Sequence, residues 1–143
     1  MRSAVVDTNV LVYDAFTDQP LHGRARSLLD SLESWVIPTI VLVELAWFAR
    51  GAGLPDREAR RLVLGYALSD RAEVVEVTAD DLVDALASAP SMMDLEDELI
   101  LCVAERLQLP LATFDSRLRE RARERGIPLL PGEEGEGEGG DGP

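Results

Sequence analysis

Short apolar runs alternate along this chain with longer stretches in which apolar positions recur every three or four residues. The runs Ser3–Val6, Ser34–Ile37, Glu73–Val77 and Leu109–Thr113 read as strands, and Ile127–Leu130 as a final edge strand. Helices are predicted from about Asn9 to Leu32, with a break near Asp18-Gln19-Pro20, and over TIVLVELAWFARG, with Thr39 as its cap. Further helices are predicted from Pro55 to Ser69, over ADDLVDALAS behind a Thr78 cap, from Ser91 to Leu107, and from Ser116 to Arg125, where Gly126 stops the last. Strands separated in this way by helices imply an α/β chain, a three-layer α/β/α sandwich on a short central parallel sheet.

Composition narrows the picture. At 143 residues with 46% hydrophobic positions, the chain can bury one core. Residues 1–130 are expected to form the domain and 131–143, rich in Gly and Glu, a disordered acidic tail. No apolar run reaches the roughly 20 residues that cross a bilayer, and Asp7 interrupts any signal-peptide pattern. The single cysteine, Cys102, rules out an internal disulfide and suits a reducing cytoplasm, with Cys102 as a small core residue. Net charge is −13, and every basic residue is Arg. Without the five acids of the tail it is −8, which argues against binding nucleic acid through a broad basic surface. An enzyme whose acids are neutralised by a bound cation remains compatible.

The placement of acids is the informative feature. In open parallel sheets, ligands bind beyond the carboxyl ends of the strands. Two strands end on aspartate there, AVVD at Asp7 and LATFD at Asp115, with Asn9 and Thr113 beside them. Asp7 reads equally as the cap of a following helix. Glu44 is the one charge between Ile40 and Ala49 and would be costly to bury unpaired. In DLEDELI, helical spacing puts Asp94, Asp97 and Glu98 on one side and turns Glu96 away. Ser91 and Asp94 have the spacing of a capping box, so Asp97 is the favoured functional acid and Asp94 or Glu98 a helper. Carboxylates that converge repel unless cations lie between them, and all-oxygen ligation favours Mg²⁺ or Mn²⁺. With His22 as the sole histidine and no lysine, zinc sites, Walker loops and Ser-His-Asp triads lack support.

Three pieces, DTNVLV, IVLVELAW and DELILCVAERLQLPLATFD, together resemble the PIN-domain family, and within it the VapC-type toxins of toxin–antitoxin pairs. The resemblance covers residues 3–130. It implies a metal-dependent endoribonuclease acting on RNA, with Asp7, Glu44, Asp97 and Asp115 as catalytic and metal-binding acids. Asn9, Thr113 and Asp94 would support them. It also implies a small antitoxin as partner and a homodimer, with Trp47 and Phe48 lining an apolar groove or, for at least one of them, buried in the core. Candidate RNA-facing arginines are Arg24, Arg26, Arg50 and those of DSRLRERARERG, although the charge pattern of that helix favours ion pairs of Arg117, Arg121 and Arg125 with Glu120 and Glu124 on a solvated face. The alternatives are a PIN nuclease of housekeeping RNA processing and a PIN fold that binds proteins without turnover. An aspartyl-nucleophile phosphatase or dehalogenase is disfavoured by Asn9 in the second-acid position and by the missing lysine.

Overall fold

The computed structural model describes residues 2–132; the acidic tail expected beyond them lies outside the described residues. Five parallel strands, β1 (Ser3–Val6), β2 (Ser34–Pro38), β3 (Ala72–Val75), β4 (Leu111–Ala112) and β5 (Leu129–Leu130), form one sheet in the order β3-β2-β1-β4-β5. Register aligns Val5 with Val36 on one side of β1 and with Leu111 on the other. Seven α-helices connect them: α1 (Thr8–Ala15), α2 (His22–Ser31), α3 (Thr39–Gly51), α4 (Asp56–Ala67), α5 (Ala79–Ser88), α6 (Leu95–Leu107) and α7 (Ser116–Glu124).

β1 is central because its three apolar residues are fully buried on both faces. The chain winds outward from it twice, through β2 and β3 in one direction and β4 and β5 in the other. Right-handed crossovers then place α1–α4 over one face and α5–α7 over the other. The reversal creates a crevice between the carboxyl ends of β1 and β4. Leu11, Leu29, Leu45, Ile100, Leu101 and Leu118 fill the core from both layers. No helix among the described residues is long and apolar enough to cross a membrane.

Local chemistry departs from expectation in three places. Thr39 is the first residue of α3 rather than its cap; Pro38 occupies the cap position and offers no side-chain acceptor. The helix foreseen from Ser91 starts as a 3₁₀ turn, Met92–Asp94, and the Ser91 hydroxyl donates to the Asp94 carboxylate (2.9 Å) instead of capping a backbone amide. β4 and β5 are shorter than their apolar runs, because Pro110 and Pro128 each remove a ladder donor. Thr78 does cap α5, in a reciprocal box with Asp81. Cys102 is buried, and Gly126 ends α7 at φ +74°.

Candidate active site

β1 and β4 each deliver a polar group at the crevice where their ladders stop. Asp7 caps α1, its Oδ1 accepting from the Thr8 amide (2.8 Å). Its other oxygen, Oδ2, accepts from the buried Thr113 hydroxyl (2.7 Å). The capping role holds, and it leaves Asp7 facing the crevice. Asp115 caps α7 in the same manner, accepting from the amides of Arg117 (2.9 Å) and Leu118 (3.0 Å). Thr113 links the two ends: its Oγ1 accepts from the Asp115 amide (3.1 Å) and lies 3.4 Å from the Asn9 amide nitrogen. Asn9 Oδ1 accepts from the Phe114 amide (3.3 Å).

α3 and α6 bring two further acids from opposite layers. Asp7, Glu44, Asp97 and Asp115 line one pocket of about 420 Å³ with Thr8, Asn9, Tyr13 and Gln19, and no basic side chain lines it. The Thr8 hydroxyl donates to Glu44. Four of the acids singled out in the sequence thus share one space.

The other acids of that stretch part company. Asp94 is buried against Arg117 (3.1 Å) and Arg121 (3.8 Å). Glu98, with no exposed surface, pairs with Arg121 and Arg125 and accepts from Ser88 (2.9 Å). Both belong to the α6–α7 seam, not to the pocket. The bend at the 3₁₀ turn and the arginines of α7 decide this, and helical spacing alone did not reveal it. Glu96, expected to point away, is exposed but close enough to Glu44 to help raise its carboxyl. Arg117, Arg121 and Arg125 bridge to α6 rather than facing solvent in pairs within α7, correcting the solvated-face reading. Arg26 pairs with Asp14 (2.8 Å), Arg50 with Asp56 (2.9 Å), and the buried Arg119 donates to the carbonyls of Thr113 and Pro131. Neither Trp47, 74% exposed, nor Phe48 is in the core.

The electrostatics follow from crowding acids in a half-closed space. Burial raises the Asp7 carboxyl to about 6, with repulsion from Asp97 and Asp115 adding to it and the Thr113 and Thr8 hydrogen bonds opposing it. Glu44 is pushed up to about 8, first by burial and then by its contact with Glu96. Asp97 is raised as well, by burial and by Asp115, and the charge of Arg121 offsets part of this. Among the described residues, no set of three or more His, Cys, Asp or Glu side chains is drawn together closely enough to hold a metal ion. The donors that face the pocket are all oxygens, a set suited to a hard divalent cation.

With this geometry in view, comparison with known proteins is informative. Residues 4–124 match the family described as the PIN domain. The chain belongs to the PIN-domain family. Its fold is shared with the Mycobacterium tuberculosis toxin VapC20, described as cleaving the sarcin-ricin loop (TM-score 0.72, 20% identity, 82% of this chain and 94% of that one). It is also shared with VapBC2 from Rickettsia felis, solved bound to a DNA fragment from its promoter (0.62, 19%, 89% and 96%), and with a toxin–antitoxin complex from Klebsiella pneumoniae (0.58, 20%, 80% and 88%). No curated protein matches the sequence. PIN membership accounts for the parallel α/β fold.

Proposed function

We propose that this PIN domain is a Mg²⁺- or Mn²⁺-dependent endoribonuclease, acting as the toxin of a toxin–antitoxin pair. The observation that carries the reading is the convergence of Asp7, Glu44, Asp97 and Asp115 on one pocket without a basic side chain, at the switch point of the sheet. Asp7 and Asp97 would hold the cation, with Asp115 reaching it directly or through water. When bound, the cation supplies Lewis-acid polarisation of a scissile phosphate and lowers the pKa of water. Thr113 fixes the rotamer of Asp7 through its hydroxyl, and Asn9 holds the Phe114 turn that aims Asp115. Glu44, raised to about 8, holds a proton at neutral pH; ionised beside a bound cation, it would orient and deprotonate the attacking water. Hydrolysis in this sense leaves 5′-phosphate and 3′-hydroxyl ends.

Similarity to VapC20 and to toxin–antitoxin complexes supports the toxin role and an antitoxin partner, and the reading includes a homodimer acting in the cytoplasm. Phe48 on α3 lines the pocket and its neighbour Trp47 is exposed; an antitoxin segment would cover both. The test is cleavage of a mixed RNA pool by the purified chain and by Asp7→Asn, each with Mg²⁺, Mn²⁺ or EDTA. Metal-dependent cutting that the substitution and EDTA both abolish is expected. Equal cutting by both proteins, or none under any metal, overturns the reading.

A further inference from the structure

Cation placement on this acidic molecule is uneven. Most arginines discussed above are committed to carboxylates or carbonyls: Arg26 to Asp14, Arg50 to Asp56, Arg106 to Asp81, and Arg117, Arg121 and Arg125 to α6. Arg2 and Arg24 are exposed and have no carboxylate partner among the described residues. Both line one cleft of about 810 Å³, together with Ser27, Ser31, Phe114 and Pro131, and among the described residues no acid lines it. Three other clefts that contain arginines each contain carboxylates as well.

This cleft adjoins the acidic pocket through two aromatic rings. In the extended segment after β4, neighbouring side chains point opposite ways, so Asp115 faces the pocket while Phe114 faces the cleft. Tyr13, which lines the pocket, packs on Phe114 with ring centroids 5.9 Å apart. The Arg24 guanidinium lies over the Phe114 ring, 5.4 Å from its centroid, and the residue is exposed. A strand of nucleic acid leaving the pocket over Tyr13 and Phe114 would meet Arg24 and then, toward the amino end of β1, Arg2. Unpaired bases stack on aromatic and guanidinium planes, and their phosphates pair with such cations.

We propose that the Arg2–Arg24–Phe114 cleft binds an unpaired strand of RNA as it leaves the pocket, Arg24 beside Phe114 stacking a base and Arg2, at the amino end of β1, taking a phosphate farther along. This rests on the ribonuclease reading above. It gives an acidic protein a local route to RNA, without a basic surface at large.

The test is fluorescence anisotropy with a labelled mixed-sequence 12-nucleotide single-stranded RNA, in Mg²⁺, on the full chain carrying Asp7→Asn so that the strand stays uncut. Arg24→Lys keeps the charge and loses the plane. It weakens binding by about tenfold with the salt dependence unchanged. Arg2→Gln, at a surface position, lowers the slope of log affinity against log salt by about 0.7. Arg57→Gln, on the exposed start of α4, alters neither. Arg24→Lys and Arg2→Gln that both bind as the parent does overturn the subsite, while the parent's own binding leaves the ribonuclease reading standing. A parent that binds no RNA even at low salt, beside a wild-type chain that cuts none, overturns both.

Discussion

Asp7 combines two duties that conflict in the absence of a cation. As a cap it wants to be charged, and as a buried neighbour of Asp97 and Asp115 it wants a proton. Asp7→Asn keeps an oxygen for the Thr8 amide and removes the charge. In metal-free buffer at pH 7.5 it should stabilise the chain by about 2 kcal/mol, seen as a higher melting temperature, while abolishing RNA cleavage. Added Mg²⁺ should raise the melting temperature of the wild type and leave the variant unmoved. A variant that melts lower than the wild type under metal-free conditions would refute the conflict. Three of the four convergent acids were legible at this scale because each breaks a local rule: Asp7 and Asp115 end apolar strands, and Glu44 interrupts an apolar helix. Glu96 was not legible, since its partner lies on another element and helical spacing says nothing about what faces a side chain. Thr8 was likewise hidden by its ordinary position in a capping sequence.

At the scale of elements, the α6–α7 seam carries the largest buried charge. Glu98 has no exposed surface and depends on Arg121, Arg125 and Ser88. Arg121→Met leaves that carboxylate short of a partner and should cost about 3 kcal/mol in chemical denaturation. Arg117→Gln breaks the Asp94 contact from a side chain 70% exposed, and should cost less than about 1 kcal/mol. Equal losses from the two would contradict the seam as described. At the start of α5, Thr78→Ala removes half of a reciprocal cap and should cost about 1 kcal/mol by the same measurement. The order and type of elements could be read from the chain because helical and strand periodicities differ and Gly and Pro punctuate them. The seam could not. The spacing of Arg117, Arg121 and Arg125 fits pairing within α7 as well as pairing across to α6, and the packing of α7 on the sheet selects the second.

Across the whole molecule, the acids set the pH response. In the folded chain Asp7 keeps its proton up to about pH 6 and Glu44 up to about pH 8, whereas the unfolded carboxyls release theirs near 3.8 and 4.5. The folded state therefore binds more protons in this window, and the contribution of these two groups is present in full below about pH 4 and lost as pH rises toward 8. Metal-free melting temperatures should fall between pH 5 and 8, and saturating Mg²⁺ should flatten the decline. The doubly wound topology explains why two raised acids share one place: the reversal at β1 and β4 opens the one edge at which both helical layers can contribute side chains. The most direct measurement is calorimetric titration with Mn²⁺ at pH 7 in two buffers of different ionisation enthalpy, on the wild type and on Asp97→Asn. If the four-acid pocket holds a divalent cation, the wild type binds it and releases about one proton, chiefly from Glu44, and the variant binds at least tenfold more weakly. Binding without proton release, or binding that Asp97→Asn leaves intact, would contradict a cation held by these acids.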